Sequence, residues 1–172
     1  MEIIEILSDK LIKPNEKTGM LSRLLSDKTI LIDQLVKIAG TAREADKATC
    51  IEAIEHVSLK MPEIVNADTF DFVIRSLSEK APRVKWESAR VIGNTAFLFP
   101  GKVDKAIKNL LDNSEHPGTV VRWSAAFALG QILKLKLPVN EDLVPAIKAI
   151  AGREEKNSIR KIYEDALKKI SR

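Results

Sequence analysis

Four segments of this chain align on one another without a gap, and their spacing limits the fold more than any other feature. They are DKATCIEAIE from Asp46, VKWESARVIG from Val84, VVRWSAAFALG from Val120 and IRKIYEDALK from Ile159. The basic residues Lys47, Lys85, Arg122 and Arg160 form one column, at intervals of 38, 37 and 38 residues. Ala53, Val91, Ala128 and Ala166 form a second column, and Ile54, Ile92, Leu129 and Leu167 a third. Pro62, Pro100 and Pro138 repeat at 38 and 38. Recurrence at a fixed period of this size is the signature of stacked supersecondary units, none of which can bury its apolar face alone.

Each unit reads as a helical hairpin. Ahead of the aligned segments lie TILIDQLVKIAG from Thr29, TFDFVIRSLSEKA from Thr69, VDKAIKNLLDNS from Val103 and DLVPAIKAIAG from Asp142. Their apolar residues recur at three- and four-residue spacing, as in Leu31, Leu35 and Ile38, the stripe of an amphipathic helix. Gly40 and Gly152 follow the last apolar position, where a left-handed cap is common. Prolines punctuate the turns within units (Pro82, Pro117) and between them. No stretch alternates long enough for a strand. The expected architecture is all-α: an initial cap or partial repeat over 1–27, then hairpins over 28–65, 66–102, 103–140 and 141–172.

The stretch VVRWSAAFALGQIL over Val120–Leu133 resembles the second helix of a HEAT repeat, matching the V-R-x-x-A-A-x-A-L-G pattern of the short HEAT-like class, also called PBS-lyase-type. VKWESARVIG keeps the valine, base, alanine and glycine but has Ser88 for the first alanine; the outer units are degenerate. The resemblance implies a right-handed α-solenoid of about four to five hairpins, with second helices lining a concave face. It also implies that the basic column, Lys47, Lys85, Arg122 and Arg160, pairs with turn acids such as Asp46, Glu79, Asp112, Glu115, Glu154 and Glu155 in a structural ladder.

Helical geometry sorts the remaining columns. With the basic residue at position 0 and about 100° per residue, positions −1, +3, +6 and +7 share one arc. The opposite arc carries +1, +2, +5 and +9 and is chemically mixed, as an open face would be. It places Trp86, Arg90 and Asn94 in one unit, Trp123, Phe127 and Gln131 in the next, and His56 in the unit before. Helices packed 8–10 Å apart would make the two tryptophans neighbours and bring Arg90 within cation–π reach of Trp123. The chain has only eight aromatic residues, and three fall here. Aromatic and arginine side chains dominate binding hot spots. These seven residues are therefore the expected contacts for a protein or peptide partner.

Charge supports a second expectation. Residues 1–86 hold 13 basic and 14 acidic side chains, whereas residues 87–172 hold 15 and 10. A groove basic toward its C-terminal end, through Lys134, Lys136, Lys161 and Lys169, would suit nucleic acid. HEAT-like proteins resembling alkylated-base DNA glycosylases use tryptophans and an aspartate in such a groove. Trp86, Trp123, Arg90 and Asp165 supply similar residue types, but the tryptophan–aspartate motif is missing, so the expectation is a binding protein and not an enzyme. A bilin-lyase role has no specific support.

Other chemistry finds no footing. Cys50 is alone, and His56 and His116 lie in different units, which gives no metal constellation. No nucleotide-binding or nucleophile-elbow motif occurs, so no cofactor is expected. No apolar run reaches the roughly 20 residues of a membrane helix. The opening MEIIEILSDKLIK has acids where a signal peptide has bases, and the expected location is the cytoplasm.

Overall fold

The computed structural model describes residues 2–171 and is helical throughout, without strands among the described residues. Ten α-helices follow in order: α1 (Ile3–Ser8), α2 (Pro14–Ser26), α3 (Ile32–Thr41), α4 (Glu44–Lys60), α5 (Ala67–Ser76), α6 (Pro82–Thr95), α7 (Val103–Asn113), α8 (Thr119–Leu133), α9 (Asn140–Arg153) and α10 (Asn157–Ile170). Single turns of 3₁₀-helix, Pro62–Ile64 and Ala96–Leu98, follow α4 and α6.

Helix starts obey local chemistry. The Asn66 side chain accepts a hydrogen bond from the Thr69 amide at 2.9 Å and caps α5. At α1, α2 and α3 the side chain of the third helical residue reaches back instead: Glu5, Glu16 and Gln34 accept from the amides of Glu2, Lys13 and Leu31 at 3.0, 2.9 and 2.8 Å. Pro14 and Pro82 occupy first-turn positions, where an amide hydrogen has no helical acceptor. Gly40 and Gly152 correct the sequence reading. Both lie inside helices, and no glycine has a positive φ. The left-handed positions are Lys28 and Lys136, at φ 58° and 55°, in the turns after α2 and α8.

The even-numbered helices form one row, α2–α4–α6–α8–α10, each packed on the next, and each odd-numbered helix packs on its even successor. The odd helices touch one another only sparsely. A stack whose second helices are close and whose first helices are spread must curve with the second row inside. Helix α8, in the middle of the row, is apolar around most of its circumference: Val121, Ala125, Ala126, Ala128, Leu129, Ile132 and Leu133 are all buried. Helix α10, at the end, keeps a polar outer face with Lys161, Glu164, Asp165 and Lys168 exposed. Small side chains on α8 permit its close approach to both neighbours.

The core runs between the two rows, through Leu21, Leu35, Ile51, Ile54, Phe70, Leu77, Ile92, Leu110, Leu129 and Tyr163. Truncating one such leucine or isoleucine to alanine costs about 2–5 kcal/mol. Phe99, in the turn before α7, closes over Phe70 with ring centroids 4.7 Å apart.

Polar contacts join successive units along both rows. Lys47 Nζ donates to Glu79 Oε1 at 2.7 Å in the α5–α6 turn. Lys85 Nζ donates to Asn113 Oδ1 at 3.2 Å and to the Leu77 carbonyl at 3.1 Å. Arg122 Nε donates to Glu154 Oε2 at 3.1 Å, and its Nη1 donates to the carbonyls of His116 and Pro117. Arg160 reaches only Asn157 in its own helix. Among the odd helices, Asn66 Nδ2 donates to Asp33 Oδ1 at 2.7 Å, and Lys102 Nζ donates to Asp71 Oδ2 at 2.8 Å. The Lys102 hydrogen bond holds the Asp71 carboxyl below the usual carboxylate range. Asp33 and Asp71 lie 38 residues apart and occupy equivalent places.

Candidate functional site on the second-helix row

A single helical wheel places position +2 on the open arc, and the structure corrects this. Thr49, Glu87 and Ser124 are buried, because each second helix is flanked by two others and +2 faces a neighbour. Ala48, at +1, is buried as well. Open or partly open are Glu52, His56, Trp86, Arg90, Asn94, Trp123, Phe127, Gln131, Lys161, Ile162, Asp165 and Lys169.

One contact rule organises the wall: position +8 of one unit meets position +5 of the next. In the α4–α6 pair these are Glu55 and Arg90, whose Oε1 and Nη2 lie 3.1 Å apart. In the α6–α8 pair they are Gly93 and Phe127; a Cβ built on Gly93 would stand 2.8 Å from Phe127 Cδ1, so the glycine is the hole for that ring. The column that carries glycine in the middle units carries Glu55 in the second, and the space there is filled by a charge.

Phe127 stacks on Trp123 with centroids 5.8 Å apart and planes 7° from parallel. The Arg90 guanidinium lies 5.9 Å from the Trp123 ring centroid. Trp123 therefore bridges α6 and α8, and it still exposes 37% of its surface. Beside it a notch of about 240 Å³ opens between α8 and α10, lined by Thr119, Val120, Trp123, Ser158 and Ile159. Trp86 does not stack on Trp123: its indole Nε1 donates to Glu87 Oε1 at 3.0 Å. The expected indole–indole neighbourhood is replaced by an indole–guanidinium one.

Behind this aromatic group lies a cluster of carboxylates that the sequence reading did not single out. Glu52 and Glu55 stand on α4 and Glu87 on α6. Arg83 Nη2 donates to Glu52 Oε2, and Thr18 on α2 donates to the same oxygen at 3.0 Å. His56 Nε2 lies 3.8 Å from Glu52 and 3.6 Å from Glu55. Glu55 and Glu87 are 2% and 3% exposed, and the Oε2 of each lacks a hydrogen-bond partner. Burial, followed by the nearby Glu52, pushes the Glu87 carboxyl up to about 7, against the opposing hydrogen bond from Trp86.

The other sequence candidates are placed as follows. Asn94 Nδ2 donates to Ser58 Oγ at 3.1 Å and to the Glu55 carbonyl at 3.4 Å, which ties α6 to α4. Gln131 is half-buried on α8 and His56 is exposed on α4. Lys134 and Lys136 lie beyond the end of α8, in the turn to α9, while Lys161 and Lys169 are exposed on α10. Cys50 is fully buried, and its thiol is pushed up to about 12 by burial and by Asp46, far from thiolate chemistry at neutral pH. Among the described residues no group of three or more His, Cys, Asp or Glu side chains is arranged to hold a metal ion. None of their helices is long and apolar enough to cross a membrane.

No protein-family profile and no curated protein matches the chain. Solved structures do. A designed armadillo repeat protein in complex with a (KR)4 peptide superposes with a TM-score of 0.77 at 16% identity, over 97% of this chain and 80% of the other. The complex of CpcE and CpcF of phycocyanin lyase from Nostoc sp. PCC7120 gives 0.69 at 17% identity, over 96% of this chain and 97% of the other. A mutant of Kap121p gives 0.65 at 15% identity, over 98% of this chain and 21% of the other. At such low identity what these likenesses establish is the architecture: the chain folds as an armadillo/HEAT-type repeat α-solenoid.

Proposed function

We propose that the chain is a non-catalytic scaffold that binds a protein or peptide segment along its row of second helices. The observation that carries this reading is the Arg90–Trp123–Phe127 stack, a large aromatic surface left open on the inner wall beside an apolar notch. Trp86, Arg90, Trp123 and Phe127 anchor the partner; His56, Asn94 and Gln131 are polar contacts at the same wall. Rigid aromatic side chains bury large areas with few rotors to freeze, which suits an anchor. The likeness to designed armadillo proteins, one holding a peptide and another made for modular peptide recognition, supports the same use of the wall.

The test is a selection from a random peptide library with the folded chain as bait. Enriched peptides are then measured against Trp123→Ala by fluorescence. The expected result is recovery of binders and their loss in the variant, at little change in melting temperature. Trp123 is partly exposed, so a destabilisation above about 3 kcal/mol would mark it as a core residue and end its role as an anchor. A nucleic-acid ligand would instead show log-linear weakening with salt, and loss on replacing Lys161 and Lys169.

A further inference from the structure

The carboxylate cluster behind the aromatic stack has more acids than cations. Glu52 has Arg83, and Glu55 has Arg90. Among the described residues no lysine or arginine pairs with Glu87, which receives only the indole N–H of Trp86 on one oxygen. Glu87 Oε2 and Glu55 Oε2 are buried without a hydrogen-bond partner. Orphaned carboxylate oxygens in a low-dielectric interior weaken a fold, and a fold gains nothing from placing three acids together. Here they converge at one point on the inner wall.

From this we infer that the scaffold's partner presents a basic side chain, lysine or arginine on an extended segment, to Glu52, Glu55 and Glu87 between Trp86 and Trp123. The inference rests on the peptide-scaffold reading. Arg90 already displays the geometry in the free protein, with its guanidinium 3.1 Å from Glu55 and above the Trp123 indole. A guanidinium or ammonium from a partner fits the same surroundings, with carboxylates on one side and indole faces on the other. Trp86 is the cover: it is half-buried and hydrogen-bonded to Glu87, and moving it opens the carboxylate that has no cation. The side chains of Arg90 and His56 at the rim are 38% and 48% exposed and have room to yield. The charges facing the cluster are Arg83 and Arg90 from α6 and His56 from α4, with the Thr18 hydroxyl from α2. A phosphate backbone or an acidic peptide would meet three carboxylates here and be repelled.

The experiment uses the full chain, whose only tryptophans are Trp86 and Trp123, so intrinsic emission reports on the site itself. The probes are a short peptide alternating arginine and serine, its glutamate–serine counterpart, and a short oligothymidylate. The expected result is saturable change with the arginine peptide alone, weakened at least ~10-fold in Glu87→Gln and in Glu52→Gln. Circular dichroism melting verifies that both variants are folded. Equal affinity of the arginine peptide for wild type and both folded variants overturns the inference, as does a preference for the glutamate peptide or the oligonucleotide. Neutral binders recovered from the library, sensitive to Trp123→Ala while the arginine peptide stays inert, would refute the cation and leave the scaffold reading standing. A library that yields no binder at all would remove both.

Discussion

Replacing Glu87 by glutamine should make the protein more stable, and the gain should depend on pH. The carboxyl is buried, has one orphan oxygen, and titrates near 7 in the folded chain against about 4.5 when unfolded. The folded state thus holds this proton more tightly than the unfolded state. Stability from this group is complete below about pH 4.5 and is lost as the pH rises to about 7. At 1.36 kcal/mol per pH unit the loss is roughly 3 kcal/mol, an order of magnitude for a buried group. Glutamine keeps the shape and the carbonyl acceptor for Trp86 and removes the charge. Thermal melts of wild type and Glu87→Gln should therefore diverge with rising pH, by roughly 6–12 °C at most at pH 8 for a chain of this length, and converge near pH 4.5. Taking the difference between the two proteins cancels the histidines, which titrate in both. A variant less stable at pH 8, or a difference flat across the range, would refute the reasoning and mean that Glu87 is ionised and compensated.

Other outcomes follow from the same geometry. Trp123→Ala should abolish peptide binding while costing less than about 2 kcal/mol in a denaturant melt, since the indole is partly open. Gly93→Ala should push Phe127 out of its hole and alter the near-ultraviolet circular dichroism of the Trp123–Phe127 stack; an unchanged spectrum would show that the ring does not depend on the glycine. Arg122→Ala should destabilise by about 2–4 kcal/mol, because Glu154 is 7% exposed and loses its counter-charge, whereas Arg160→Ala should stay within about 0.5 kcal/mol; equal melting points for the two would contradict the ladder. Lys28→Gly should raise stability by up to about 1 kcal/mol in chemical denaturation, as relief of a left-handed backbone.

Much of the architecture was legible because it is periodic. The basic column, the small-residue columns and the proline spacing place the hairpins, since each unit repeats the same contacts. Single-helix geometry failed where a second neighbour intervened. Position +2 was assigned to the open arc, yet Thr49, Glu87 and Ser124 point at the adjoining second helix. The carboxylate cluster was invisible for the same reason: Glu52 and Glu55 are separated from Glu87 by more than thirty residues, and their meeting depends on the offset between stacked units. The available signal was Glu55 in a column that carries glycine next door, a charge where the pattern leaves space. Gly40 and Gly152 misled because a glycine near a helix end resembles a cap, while the left-handed positions fell on lysines.

The rungs Lys47–Glu79 and Arg122–Glu154 each cross a single boundary, and the stacked helices touch only their immediate neighbours. Such a molecule has no centre on which all its parts depend. Stretched or partially denatured, it would come apart hairpin by hairpin from its ends, and the middle units that carry Trp86 and Trp123 would be the last to let go.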